Sequence, residues 1–256
     1  MDEERIILEK REHVAYVTIN HPPANTWDLL TTEQFQRAIQ EVEVDSDVRV
    51  VVITGSGEKF FSAGFDVKDV ANAHKTSPMA RGLWTRIDRF TKPVIAAING
   101  HAMGGGLELA LCCHFRIMAE DPSLRLGLTE LNLGIIPGWG GTQRLPRLVG
   151  RARALDMILF SKTVDANQAL EMGLVDKIVP TEKLMEETNS LAQRLCERPP
   201  IAVQWVLKAM GTGLYEGIEQ GLQVEADGSV AVRNTKDREE GFKAFLEKRK
   251  PVFRGE

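Results

Sequence analysis

Two runs in this chain, VRVVVIT (48–54) and PVIAAI (93–98), are continuous in β-branched and apolar residues instead of alternating with polar ones. A short uninterrupted run of that kind reads as a strand covered on both faces, and such strands belong to sheets sandwiched between helices. The intervening sequence fits that demand. In HVAYVTI (13–19), Ala15, Val17 and Ile19 share one face at period two. From Thr31 to Val44 the apolar residues Phe35, Ala38, Ile39 and Val42 recur at helical spacing, and Thr31 with Gln34 has the form of a capping box at the helix start. A β-β-α unit is the local outcome.

The pattern repeats. PVIAAI is followed by a short helix over Gly104–Cys113 and a strand FRIMA (115–119), and LVDKIV (174–179) reads as another strand after two more helices. The second of those helices starts at Asp165, with Gln168 three residues on, and stops at Gly173. Strands spaced by helices make an α/β architecture. From Glu182 to Lys250 strand signals vanish and amphipathic helical segments take over. The division expected is a core over 1–195 carrying the active site and a helical region over 196–256.

Charge and cysteine content exclude several classes. With 32 basic against 36 acidic residues the net charge is −4, a field that disfavours nucleic acid as a partner. Cys112, Cys113 and Cys196 are odd in number and two are adjacent, so neither a disulfide framework nor a CxxC metal site can be built, and a reducing compartment is expected. The opening MDEERIILEK has no apolar run of signal-peptide length and no stretch could span a bilayer, so a cytoplasmic location without membrane attachment is expected.

Among 22 glycines are two clusters, Gly104-Gly105-Gly106 and Gly138-Trp139-Gly140-Gly141. Neither ends in the Gly-Lys-Ser/Thr of a P-loop. The third glycine of a dinucleotide fingerprint is replaced by Leu109 and Gln143 in these clusters, and by Phe60 after Gly55-Ser56-Gly57. The first cluster follows a buried strand and opens a helix, where unpaired N–H groups and the helix dipole suit an anion or a developing oxyanion. The same glycines would equally serve to pack the helix on the sheet.

Glu108 lies one turn further along this helix among Leu107, Leu109, Ala110 and Leu111. A carboxylate in that setting is costly unless bonded or functional. At 1.5 Å rise per residue it stands about 6 Å along the axis from the glycine N–H groups. Glu130, before the run LNLGIIPG, is a second carboxylate that could pair with it as general acid and base. Glu120 and Asp121, beside Pro122, read as a solvated turn.

FFSAGFDVKD (60–69), KPVIAAINGHAMGGGLELALCCH (92–114), TELNLGIIPGWGGTQRLPRLVG (129–150), ALEMGLVDKIV (169–179) and FLEKRKPVF (245–253) together resemble, in order, the signatures of the enoyl-CoA hydratase or crotonase superfamily. The resemblance implies a spiral of β-β-α units with a C-terminal helical trimerisation layer, assembled as a homotrimer or homohexamer, and an acyl-CoA thioester as substrate with no separate cofactor or metal. It places Glu108 and Glu130 as the catalytic pair and the N–H groups of Phe65 and Gly105 as the oxyanion hole. Substrate and CoA contacts are implied at Ala63, Gly64, Asp66, Lys68, Gly104, Pro137, Gly138 and Lys248. The reaction implied is reversible hydration of trans-2-enoyl-CoA, as in fatty-acid β-oxidation.

Isomerases of the family commonly lack the first glutamate, which is kept here, so an isomerase or a specialised dehydratase of carnitinyl, cyclic or branched acyl groups is the alternative. An RNA-binding role is disfavoured by a first helix whose sole basic residue is Arg37. Departures from the family pattern are Phe65 in place of a small residue, Trp27 in the HPPANTWDL loop, His114 after the cysteines, and a longer stretch between the glutamates. Phe65 and Trp27 are expected to narrow the acyl channel, and His114 to be structural.

Overall fold

The computed structural model describes residues 3–256; Met1 and Asp2, at the start of the acidic N-terminal decapeptide, lie outside the described residues. The chain begins with a strand that periodicity alone does not single out, β1 (Ile6–Arg11), antiparallel to β2 (Val14–Ile19). A two-residue strand β3 (Thr26–Trp27) leads into α1 (Leu29–Val44). The expected capping box at Thr31 and Gln34 is not there. Asp28 is the N-cap, its carboxylate accepting from the Thr31 N–H at 2.7 Å, while Gln34 Oε1 accepts from the backbone N–H groups of Arg5 and Ile6 and ties the N-terminal strand down. The helix therefore starts two residues earlier than its apolar stripe suggests.

Next come β4 (Val50–Gly55), β5 (Phe60–Ser62), β6 (Gly64–Phe65), a 3-10 turn over Val67–Asn72 and α2 (Ala73–Asp88). The third unit is β7 (Val94–Ile98), β8 (His101–Met103) and α3 (Gly105–Cys112), followed by β9 (Phe115–Ala119) and β10 (Leu126–Gly127). A 3-10 turn at Glu130–Leu133 precedes α4 (Gly141–Val149), α5 (Arg151–Leu159) and α6 (Ala166–Glu171). Three helices thus stand where two are expected, because Gly150, at φ +82°, breaks the first. The capping box at Asp165 and Gln168 is present as expected. The last strand, β11 (Lys177–Val179), is shorter than LVDKIV, since Leu174 and Val175 are buried in the turn before it.

The topology explains the repeat. The first strands of successive units line up in a six-stranded sheet, β1-β2-β4-β7-β9-β11, parallel beyond the β1–β2 pair. The second strands make a separate parallel sheet, β10-β8-β5, and β3 pairs with β6. The units beginning at β4, β7 and β9 each advance one strand in both sheets before their helix, and the helices α1 to α4 stack on their successors. This is the expected spiral of β-β-α units. The continuous runs are its central strands: every residue of β7, and all of β4 except Thr54, is buried.

After β11, α7 (Leu184–Cys196) packs across β2, β4, β7 and β9. Beyond it lie α8 (Pro200–Tyr215), α9 (Ile218–Ala231) and α10 (Lys236–Glu247). Helices α8 and α9 approach closely enough that a methyl group on Gly221 would sit 2.6 Å from the Gly213 Cα. Their outer faces carry exposed Met210, Leu214, Ile218 and Leu222, joined by Phe242 and Phe245 of α10. Among the described residues no helix is long and apolar enough to cross a membrane, and the three cysteines are free and buried.

Candidate active site

The site forms where β6, the start of α3 and the turn ahead of α4 meet. Gly104 adopts φ +51° as the N-cap of α3, a conformation that favours glycine. The next two glycines are required by close approach. A methyl on Gly105 would lie 2.2 Å from the Trp139 ring, and one on Gly106 would lie 2.3 Å from the Ser62 carbonyl oxygen. Tight packing therefore accounts for part of the cluster, as its sequence allowed. The Gly105 N–H nonetheless has no acceptor among the described residues, as the first turn of a helix permits. Gly64, at φ +84°, brings β6 alongside; a methyl there would stand 2.7 Å from the Gly105 nitrogen.

Glu108 is 2% exposed. Its Oε1 accepts two backbone N–H bonds, from Trp139 at 2.8 Å and Gly141 at 2.7 Å. Burial raises its pKa, and those N–H groups together with the Arg144 guanidinium offset only part of that rise. Glu130 comes in from the other side. Its Oε1 would lie 3.2 Å from a methyl on Gly104, while its Oε2 is buried with no partner. Burial first, and the neighbouring Glu108 charge second, lift the Glu130 pKa to about 7. Two carboxyl groups that are distant in sequence thus share one site in unequal environments, one held by two backbone donors from another turn and one with an oxygen lacking a partner among the described residues. The longer stretch between them passes through the exposed turn at Glu120–Ser123, where Asp121 caps the Ser123 N–H.

The other expected residues divide into two groups. The Ala63 carbonyl would be 3.9 Å from a methyl on Gly104, and Pro137 is buried beside Gly138, whose carbonyl accepts from Arg81 Nε. Both Asp66 oxygens are engaged within the chain, accepting from the Lys68 N–H and the Thr26 hydroxyl. Lys68 and Lys248 are exposed, Lys248 just past the end of α10 at φ +55°. Among the described residues neither lysine side chain is paired with Glu108 or Glu130.

Trp27 does not narrow the site directly. It is fully buried, with its ring edge-on to Phe35 and Trp84 and its Nε1 donating to Ser62 Oγ. Half-buried Phe65 instead meets Trp139 edge-on at 6.4 Å, and Trp139 meets Trp84 at 5.3 Å. Trp139 is the functional residue missed from sequence. Its position inside a glycine cluster was the available signal, because a large ring among glycines needs the space they leave. His114 is structural: its Nδ1 accepts from the Val94 N–H, and burial lowers its pKa to about 4. Among the described residues no group of three or more His, Cys, Asp or Glu side chains is arranged to hold a metal ion.

A family model described as enoyl-CoA hydratase/isomerase matches residues 9–256. The chain is 42% identical to a probable enoyl-CoA hydratase of Bacillus subtilis (strain 168), covering 98% of this chain and 99% of that protein. It is 40% identical to a crotonyl-CoA hydratase of Syntrophomonas wolfei, covering 98% of each. The crystal structure of an enoyl-CoA hydratase from Bacillus anthracis superposes with a TM-score of 0.94 at 40% identity, over 98% of this chain and 100% of that one.

Proposed function

Because the chain belongs to the enoyl-CoA hydratase/isomerase family, we propose that it hydrates the C2=C3 double bond of trans-2-enoyl-CoA thioesters to 3-hydroxyacyl-CoA, as a hydro-lyase. The observation that carries this reading is the unequal carboxyl pair. Glu108, receiving two N–H bonds, is the carboxylate, and Glu130, with an unpartnered oxygen and a pKa of about 7, holds a proton near neutrality.

In hydration, Glu108 takes a proton from water as the water oxygen bonds to C3. The π electrons move toward C2 and the thioester oxygen, and Glu130 delivers its proton to C2. The Gly105 N–H, lacking an acceptor among the described residues, and the Phe65 N–H stabilise the enolate-like oxygen, each contributing on the order of 3 kcal/mol in the transition state. The two carboxyls end with exchanged protonation, and proton exchange with solvent resets them. Retention of both glutamates favours hydratase over isomerase chemistry.

The CoA portion lies along the Ala63–Lys68 segment, with Lys68 and Lys248 as point charges for its phosphates. The exposed apolar faces of α8, α9 and α10 support a trimer or a dimer of trimers, since an apolar surface of that kind is stabilised by burial between subunits. Fatty acyl-CoA degradation is the corresponding pathway.

Crotonyl-CoA provides the test. The conjugated thioester absorbance should fall rapidly with the native protein, and about 10²–10⁴-fold more slowly with Glu108→Gln or Glu130→Gln. Full activity in either variant would rule out the two-carboxylate mechanism.

A further inference from the structure

Behind the Trp139–Gly141 turn runs a buried polar chain that the reaction itself does not use. Arg144 of α4, 8% exposed, donates through Nη1 to the Trp139 carbonyl at 3.0 Å and through Nε to Asp88 Oδ2 at 2.8 Å. Asp88 is the last residue of α2, and the same oxygen accepts from the Tyr215 hydroxyl at 2.5 Å. Tyr215 ends α8. Two guanidinium groups lie near its ring, Arg89 at 5.5 Å and Arg147 at 5.8 Å from the centroid, and the adjoining Glu216 pairs with Arg89. Room for the guanidinium is left by Gly140, where a methyl would fall 1.8 Å from Arg144 Nη1.

The two N–H groups that hold Glu108 belong to Trp139 and Gly141, which flank the residue beneath which Arg144 is seated. The carbonyl that Arg144 holds belongs to the 139–140 peptide, which carries the Gly140 N–H facing Glu108 and lies between the two peptides that supply the bonds from Trp139 and Gly141, so a charge-assisted bond to that carbonyl anchors the centre of the turn and restrains both neighbours. Resting on the hydratase reading, we propose that Tyr215, Asp88 and Arg144 are positioning residues that hold the Trp139–Gly141 turn, and through it the Glu108 carboxylate, at the geometry needed to deprotonate water. The chain also joins the helical layer of α8 to the acid–base pair.

Two contributions of Arg144 separate by substitution. Its charge faces Glu108, Cys112 of α3, Asp88 of α2 and Tyr215 of α8 and favours the ionised Glu108 carboxylate, while Glu130 of the 3-10 turn and Cys112 are the other titratable groups that face Glu108. Arg144→Lys keeps the charge but cannot make both bonds; Arg144→Met removes both. Tyr215→Phe deletes one hydroxyl and leaves the ring.

The experiment measures crotonyl-CoA hydration across pH, with folding checked by circular dichroism. Displacement of a base by a fraction of an ångström to 1 Å costs up to about 10²-fold in rate. Arg144→Lys should therefore lose about 10-fold or more in kcat at little change in KM, with its acid limb in place, and Tyr215→Phe should lose roughly 3-fold or more. Arg144→Met should also move the acid limb to higher pH. A kcat within twofold of the native value in both Tyr215→Phe and Arg144→Lys, with only thermal stability reduced, would overturn the proposal. If the native protein does not hydrate crotonyl-CoA, the hydratase reading is what fails. The positioning role is then decided by the Glu108 carboxyl and the Trp139 and Gly141 amide resonances in the charge-conserving variants Arg144→Lys and Tyr215→Phe, which should move from their native positions; unmoved resonances in both overturn it.

Discussion

Replacing Glu130 by glutamine should yield a protein that is inactive yet more stable, with a gain that grows as pH rises. Glu130 has an ordinary carboxyl pKa of 4.5 when unfolded and about 7 in the fold, raised by burial and then by the Glu108 charge. A folded pKa above the unfolded one means that the native state is favoured while the group is protonated. The contribution is complete below pH 4.5 and is lost as pH rises through about 7. A displacement of that size corresponds to roughly 3 kcal/mol against the ionised site. About 2.5 kcal/mol of it falls between about pH 5 and pH 8.5. Water reaching the half-buried side chain reduces the expected figure to ~1–2 kcal/mol.

Glutamine keeps the shape and cannot ionise, so the variant escapes this loss. Urea denaturation of both proteins at the two pH values, at one protein concentration to hold assembly constant, gives the difference directly. The advantage of Glu130→Gln over the native protein should be at least ~1 kcal/mol larger at the higher pH. An equal difference at both values would mean that Glu130 is not the strained, proton-holding member of the pair, and the assignment of acid and base would fall with it.

Two further outcomes are expected. Gly105→Ala forces a methyl to within 2.2 Å of the Trp139 ring, so it should destabilise by about 1–3 kcal/mol and slow hydration, because Trp139 carries one of the N–H groups that hold Glu108; native-like melting and rate would contradict the packing argument. Across a panel of enoyl-CoA chain lengths, Phe65→Ala should broaden the optimum, whereas Trp27→Phe should lower the melting temperature and leave the profile unchanged, since Trp27 is fully buried against Phe35 and Trp84; a profile altered by Trp27→Phe alone would reverse the two roles.

Local signals carried those parts of the fold that local physics decides. The four consecutive apolar residues Val50–Ile53 and the run at 93–98 read as central strands, because they offer no polar face to water, and the Asp165–Gln168 cap was legible because both partners lie within one turn. The start of α1 departs from its local pattern for the complementary reason. Gln34 has the right spacing for a capping box, but its amide is claimed by the backbone of Arg5 and Ile6, nearly thirty residues away.

By itself the sequence determined the α/β class, the absence of a nucleotide fingerprint, the glycine-rich helix start and the burial of Glu108, all consequences of composition and period. Only the tertiary structure decided that Glu130 stands beside Gly104 with an oxygen lacking a partner among the described residues, that two N–H groups from a turn 31 and 33 residues beyond Glu108 bond its carboxylate, and that Trp139 rather than Trp27 lies against Gly105. Those facts depend on how successive turns of the spiral come to rest against each other. Residue spacing along a chain says nothing about the distance between groups on different turns, and the acid–base character of this pair comes from that distance and from the water excluded around it.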